Sequence, residues 1–184
     1  MGWNSNNITG STATVGSTTY ATGNVTATGD RVGGLVGHSQ GGTISYVYAT
    51  GVVTGSTYVG GLAGYSSNTI NNASALNRVE GVSGTGANTV YYGVKGVNQV
   101  GGFIGDLFNT TLSVSKADTV VLGTGSDTGG FVGRMEYGSV NTSGALGTVI
   151  GVGSTGGFAG SMINNASVTT SYANANVSSS GSNV

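Results

Sequence analysis

Apolar residues occur along this chain singly or in runs of no more than four, each closed by glycine or a small polar residue. No window carries them at i, i+3, i+4 and i+7 over three turns, so no amphipathic helix is predicted. Alternation dominates instead. In Thr43-Ile44-Ser45 an aliphatic side chain sits between two small polar ones. In an extended strand that arrangement turns the aliphatic inward and its neighbours outward. The same triplet recurs as Thr69-Ile70-Asn71, Thr111-Leu112-Ser113, Ser139-Val140-Asn141 and Ser167-Val168-Thr169. Val, Ile, Thr and Tyr favour strands, whereas Gly, Thr and Asn disfavour helix. The predicted elements are therefore short strands between glycine turns.

These strands belong to a repeat. A block of the form [V/T]-G-G-[L/F]-[V/A/I]-G begins at Val32, Val59, Val100, Thr128 and Thr155, with starts 27, 41, 28 and 27 residues apart. In register with it, alanine precedes valine by four residues at Ala21/Val25, Ala49/Val53, Ala75/Val79, Ala117/Val121, Ala145/Val149 and Ala173/Val177. Five residues before five of these alanines stands Ile44, Ile70, Leu112, Val140 or Val168. Before Ala21 the place falls on Gly16, so the first repeat reads as degraded there.

A unit of about 27 residues cannot bury its own apolar side chains, but stacked units can. The pattern therefore predicts an all-β fold, a parallel β-solenoid (β-helix) of about six coils. At ~4.8 Å per coil it is roughly 29 Å long. Three inward ladders are expected: Leu35/Leu62/Phe103/Phe131/Phe158, the Ile44 column and the Val25 column, with the alanines lining a narrow corner. Residues 1–10 read as an irregular N-terminal segment and 11–184 as one solenoid domain. The 41-residue interval exceeds one repeat by 14. Aligned on its neighbours, the extra material is about Ala87 to Gln99 (87–99), which holds Tyr91, Tyr92 and Lys95. Insertions in solenoids fall in loops on one face and often carry function. This one reads either as a ligand-binding element or as a short hairpin packing its tyrosines on the flank.

Composition narrows the chemistry. The chain has 184 residues, 37 of them glycine, and charged residues make up only 6 %. It has no cysteine, which excludes a disulfide scaffold and Cys-ligated zinc or iron–sulfur sites. A net charge of −1 with five basic residues offers no electrostatic footprint for nucleic acid or an anionic membrane. The short apolar runs exclude a transmembrane helix, so no membrane insertion is expected. The N-terminal MGWNSNNITG has neither a basic nor an apolar region of a signal peptide.

Candidate motifs mostly dissolve into the repeat. Gly151-Val-Gly153-Ser-Thr-Gly156 matches GxGxxG, but a repeat block follows it and no acid occurs after Glu136. Gly123-Thr-Gly125-Ser-Asp127 resembles half of a calcium nonapeptide in a single copy, where tandem copies are needed. His38 has no second histidine to share a metal and reads as a solvated turn residue. Asp106 and Glu136 lie near the same turn of adjacent coils, with Arg134 beside them, so an ion pair is expected rather than a catalytic dyad. No catalytic residue, metal or cofactor is expected, and the chain is read as not an enzyme. Two outward tracks of small polar groups stand out. Thr43, Thr69, Thr111, Ser139 and Ser167 form one, and Ser45, Asn71, Ser113, Asn141 and Thr169 the other.

The block followed by T-I-S-x-x-Y-A-T-G-x-V resembles the GLUG repeat of large bacterial surface proteins, including adhesin-like chains and the non-catalytic part of some IgA-cleaving metallopeptidases. The best match is Val32 to Gly55, and Ser17 to Gly29 and Ser171 to Val177 carry its second half. The resemblance spans nearly all of residues 11–184, although the segments after Ala75, Ala117 and Ala145 lose the Y-A-T-G form. No HExxH motif is present, so the peptidase chemistry of those relatives is not carried. The resemblance implies an extracellular, bacterial cell-surface location and a structural or adhesive repeat module or fibre. Expected partners are a further copy stacked end to end, or continuation of a longer solenoid, and a host-cell or matrix glycan. The alternative reading is a binding module that holds glycan or ice on the flat face of Thr43, Thr69 and Thr111 or on the insertion with Tyr91, Tyr92 and Lys95.

Overall fold

A computed structural model describes residues 1–11, 19–86, 89–181 and 183–184. The chain winds into a parallel β-solenoid of about six turns. One face is a sheet of six strands, Trp3–Asn4, Val36–Ser39, Ala63–Ser66, Ile104–Phe108, Val132–Glu136 and Ala159–Ile163. A second face is five short strands, Val32–Gly33, Thr57–Gly60, Asn98–Gly101, Thr128–Gly129 and Thr155–Gly156. The remainder of each coil contributes to a bent sheet of 13 strands that includes Thr43–Ala49, Thr69–Ala75, Lys116–Gly123, Gly144–Gly151 and Tyr172–Ser179. Successive coils pair in parallel and in register, as in Ile44↔Ile70, Leu112↔Val140 and Val140↔Val168.

Because the pairing is in register, each inward position of the repeat becomes a column. Phe103, Phe131 and Phe158 stack with centroids 4.8 and 4.9 Å apart. Leu35 and Leu62 extend that column, and Ile44, Ile70, Leu112 and Val140 fill a second, all of them buried. The alanines pair Ala21↔Ala49↔Ala75↔Ala117↔Ala145↔Ala173. Only a methyl fits there. The Ala49 Cβ lies 3.1 Å from where a Cβ on Gly34 would stand, so this corner is narrow. A separate small core of Val32, Val53, Val59, Val94, Val100 and Val121 joins the five-stranded face to the bent sheet.

The glycine block follows from backbone approach rather than flexibility. A Cβ on Gly101 would collide with the Ile104 carbonyl and stand 2.7 Å from the Gly133 nitrogen of the next coil. A Cβ on Gly133 would run into the backbone of Gln99 and Val100 in the preceding coil. At these positions main chain lies against main chain, and no side chain fits between.

Elsewhere the coil turns on left-handed residues that are not glycine. Tyr46, Asn72, Val114, Thr142 and Thr170 occupy one corner with φ between 47° and 55°. A serine ladder secures it. The Ser115, Ser143 and Ser171 hydroxyls each donate 2.8 Å to the carbonyl two residues back. They also accept the N–H of Ala73, Ser115 and Ser143 from the preceding coil at 3.1–3.3 Å. Val114 is β-branched and half exposed, the combination least suited to left-handed backbone. Val114→Asn, which places there the residue that Asn72 already is one coil earlier, is expected to stabilise the chain by about 1 kcal/mol. A raised thermal midpoint in a melt of the variant checks this.

Three expectations are corrected. Residues 1–10 are not irregular throughout: Trp3 and Asn4 pair with His38 and Ser39, and Ile8 and Thr9 with Ile44 and Ser45. Ile8 starts the column whose place was read at Gly16, which lies outside the described residues along with Ser17. The Ala75/Val79 match is accidental. Val79 is exposed, and Val94 holds the valine column between Val53 and Val121. The extra residues therefore lie before Val94, so the span 87–99 begins and ends too late: Val94–Gly96 and Asn98–Gly101 belong to the coil, and 87 and 88 are outside the described residues. Ala49 and Val53 stand four apart, whereas Ala75 and Val94 stand nineteen apart: the chain stays on the coil to Arg78, whose N–H bonds the Thr50 carbonyl, and re-enters at Gly93–Val94. Between them Gly81–Ser83 and Val90–Tyr92 form the single antiparallel pair among the described residues.

Candidate functional site

The two polar tracks form as register requires. Thr43 pairs with Thr69, and Thr111 with Ser139, their hydroxyls 3.1 Å apart. Thr69, Thr111 and Ser167 are exposed, but Thr43 and Ser139 are half-buried. The parallel track is less open. Ser45 is buried and its hydroxyl donates 3.4 Å to the Thr9 hydroxyl, while Asn71, Ser113 and Asn141 are half-buried. The face thus presents one accessible row of small hydroxyls.

The hairpin separates its three candidates. Tyr92 is buried against Val52 and Leu122, with its hydroxyl 3.3 Å from that of Thr54. Lys95 belongs to the coil strand Val94–Gly96, not to the hairpin. Its Nζ donates 3.1 Å to the Ser83 hydroxyl and lies 5.6 Å from the Tyr92 ring centroid. These two residues clamp the hairpin to the flank. Tyr91 alone points away, with 58 % of its surface exposed.

The densest chemistry lies on the outer face of the six-stranded sheet. Asp106 and Arg134 are register neighbours on adjacent coils, and the guanidinium forks onto the carboxylate at 3.3 Å from Nε and 2.8 Å from Nη2. Glu136 reaches the same guanidinium at 3.7 Å and accepts a 2.9 Å bond from the Asn164 amide. Burial pushes the Asp106 carboxyl above the usual aspartate range, although Arg134 pulls it the other way. The same bond to Asp106 makes Arg134 hold its proton more firmly. Arg31 lies 5.4 Å over the Tyr65 ring and Arg134 5.8 Å over that of Tyr58. His38 is not a solvated turn residue. It sits within Val36–Ser39 with its ring edge-on to Tyr65 at 4.9 Å, and burial there lowers its pKa. The ion pair was legible from spacing. The aromatic surround was missed, because its members come from different slots of the repeat and only the coil brings them together. Among the described residues, no group of three or more His, Asp or Glu gathers as a metal site.

Known proteins add one match. The family model of the GLUG motif matches residues 28–54, the second coil, from the turn before Val32 to the strand Val53–Thr54. No curated protein and no solved structure matches the chain. The matched stretch holds Gly33, Gly34 and Gly37, where a Cβ would collide with a backbone oxygen, the inward Leu35 and Ile44 and the narrow Ala49 corner. The chain thus carries a GLUG motif, at residues 28–54, within a solenoid.

Proposed function

We propose that the chain is a non-enzymatic structural and adhesive repeat module of a bacterial extracellular surface protein or fibre, and that its coils stack end to end. The observation that carries this reading is the last coil. Val177 is 37 % exposed, whereas Val149, one coil below in the same column, is 1 % exposed. Ala173 is exposed and Val168 half-buried, whereas Ala145 and Val140 beneath them are fully covered. The eight-residue strand Tyr172–Ser179 pairs with Gly144–Gly151 on one side, and among the described residues nothing pairs with the other. An apolar end with a free parallel edge is a template for another coil, whether of a second copy or of a longer solenoid. At the opposite end Tyr20 stacks on Tyr48 at 5.2 Å in the register that Tyr172 occupies. A second copy seated on the last coil brings its own Tyr20 over Tyr172 and repeats that contact. Such a contact is heterologous and open-ended, as a fibre requires.

Light scattering across a concentration series, with negative-stain microscopy, tests the reading. Particles that lengthen along one axis with concentration are expected. Val177→Lys, which places a charge in the joint, is expected to leave monomers. A parent chain that stays monomeric throughout overturns it.

A further inference from the structure

We propose that the outer face of the six-stranded sheet binds a neutral oligosaccharide, with the rings of Tyr58, Tyr65, Phe108 and Tyr137 set around the Asp106–Arg134–Glu136 ion group. The rings form one connected patch. Tyr58 and Tyr65 are 6.4 Å apart, Tyr65 and Phe108 are 6.4 Å apart, and Phe108 meets Tyr137 edge-on at 6.1 Å. The patch departs from the rest of the exterior. The chain has five basic and six acidic residues, and Arg31, Asp106, Arg134 and Glu136 all belong here. Two of its tyrosines also sit where the backbone disfavours them. Tyr58 and Tyr137 have φ of 52° and 53°, left-handed values that bulky side chains seldom adopt. Tyr137 is 52 % exposed, with its ring against Phe108. The same slots are left-handed in other coils, at Arg31, Gln99 and Asp127 and at Asn109 and Asn164, so the corner sets this backbone and only these two coils place a ring on it.

Charge and geometry select the ligand. Two cations and two anions cancel, so the patch attracts neither a polyanion nor a polycation. The polar groups are fixed by the forked ion pair and carried on strands, which holds donors and acceptors in place. Rings with an apolar face beside fixed donors and acceptors suit a molecule with an apolar face and hydroxyls at its rim. A pyranose ring has both. The patch runs across successive coils, so a linear oligosaccharide lies along the solenoid axis. It forms the adhesive surface of the reading above but is tested separately, because its rings lie on the flank and not on the coil ends.

Trp3 supplies the readout. It is the only tryptophan, is 63 % exposed, and lies beside His38 at the end of the same face. The full chain is titrated with cellohexaose, chitohexaose, laminarihexaose and maltohexaose, following Trp3 emission and, in parallel, heat by calorimetry. Saturable binding of at least one sugar is expected, little altered by salt. Tyr137→Asn and Tyr58→Asn keep a residue that tolerates the left-handed backbone, and each is expected to weaken binding about ten-fold or more. Tyr91→Ala and Thr69→Lys are expected to leave binding unchanged. The proposal is overturned by no binding of any of the four sugars, by binding that survives both tyrosine changes in folded variants, or by binding lost in Tyr91→Ala or Thr69→Lys. Binding confined to an anionic polysaccharide or to a protein partner overturns it as well.

Discussion

Gly101→Ala is expected to destabilise the solenoid by at least about 3 kcal/mol, measured as a lower denaturant midpoint. The added methyl has nowhere to go. It collides with the Ile104 carbonyl of its own coil and approaches the Gly133 nitrogen and Phe131 carbonyl of the next to 2.7 and 2.8 Å. Those atoms belong to the inter-coil backbone, so relief requires that coils separate. Separation breaks the bonds from Phe103 N–H to the Phe131 carbonyl at 2.9 Å and from Gly102 N–H to the Gly129 carbonyl at 3.2 Å. Stability in a stacked repeat is carried by neighbour interfaces, so one faulty joint weakens the column at its middle. The same change at Gly23, where a Cβ meets nothing within 4 Å, is expected to shift the midpoint little. An equal loss at both positions would show that it does not come from the coil contact, since the effect of alanine on the unfolded chain is by itself stabilising.

Arg134→Met is the second large effect. Asp106 is 1 % exposed and its bonded partner is the Arg134 guanidinium. Methionine keeps much of the aliphatic stem but leaves a buried carboxylate unpaired, expected to cost about 3–5 kcal/mol at neutral pH. The loss depends on pH, and its sign follows from the Asp106 shift. Burial already raises that carboxyl above its ordinary value, and removing the guanidinium raises it further. Between the unfolded value, about 3.9, and the raised folded value, the native chain holds the proton and the unfolded chain does not. Stability contributed by this group is therefore complete below the unfolded value and is lost as pH rises through the folded one. Denaturation of parent and variant at neutral and acid pH is expected to show the gap narrowing on acidification. A gap independent of pH would mean that lost packing, not the stranded charge, is the cost. Asp106→Asn combined with Arg134→Met is expected to recover most of the neutral-pH loss.

The inward columns were legible because a solenoid writes its tertiary contacts as sequence period. Residues 27 or 28 apart become hydrogen-bonded neighbours, so Phe103, Phe131 and Phe158 are a repeat in the chain and a stack in space. The hydroxyl tracks were legible for the same reason. The extra segment was harder to place. Ala75 and Val79 reproduce the spacing of the other pairs, yet the chain has already left the coil. Where it leaves depends on which backbone groups find partners in the next coil, and side-chain spacing does not record that. Ile8 was missed because thirteen positions separate it from Ala21, where five separate Ile44 from Ala49, so it falls out of period. The aromatic patch escaped because Tyr58, Tyr65 and Tyr137 occupy three different slots, and only the corner geometry turns them to one face.

Local chemistry along the chain settled the strand type, the repeat length, the inward and outward positions and the need for glycine at the block. Each of these rests on period and side-chain size, which any single coil already contains. The folded column alone settled the rest. It drew the first ten residues into the stack, sent the hairpin out before Val94, buried Tyr92 while leaving Tyr91 free, and sealed Asp106 beneath Arg134. Those outcomes depend on what lies above and below a residue, and burial and charge pairing exist only once the coils are stacked.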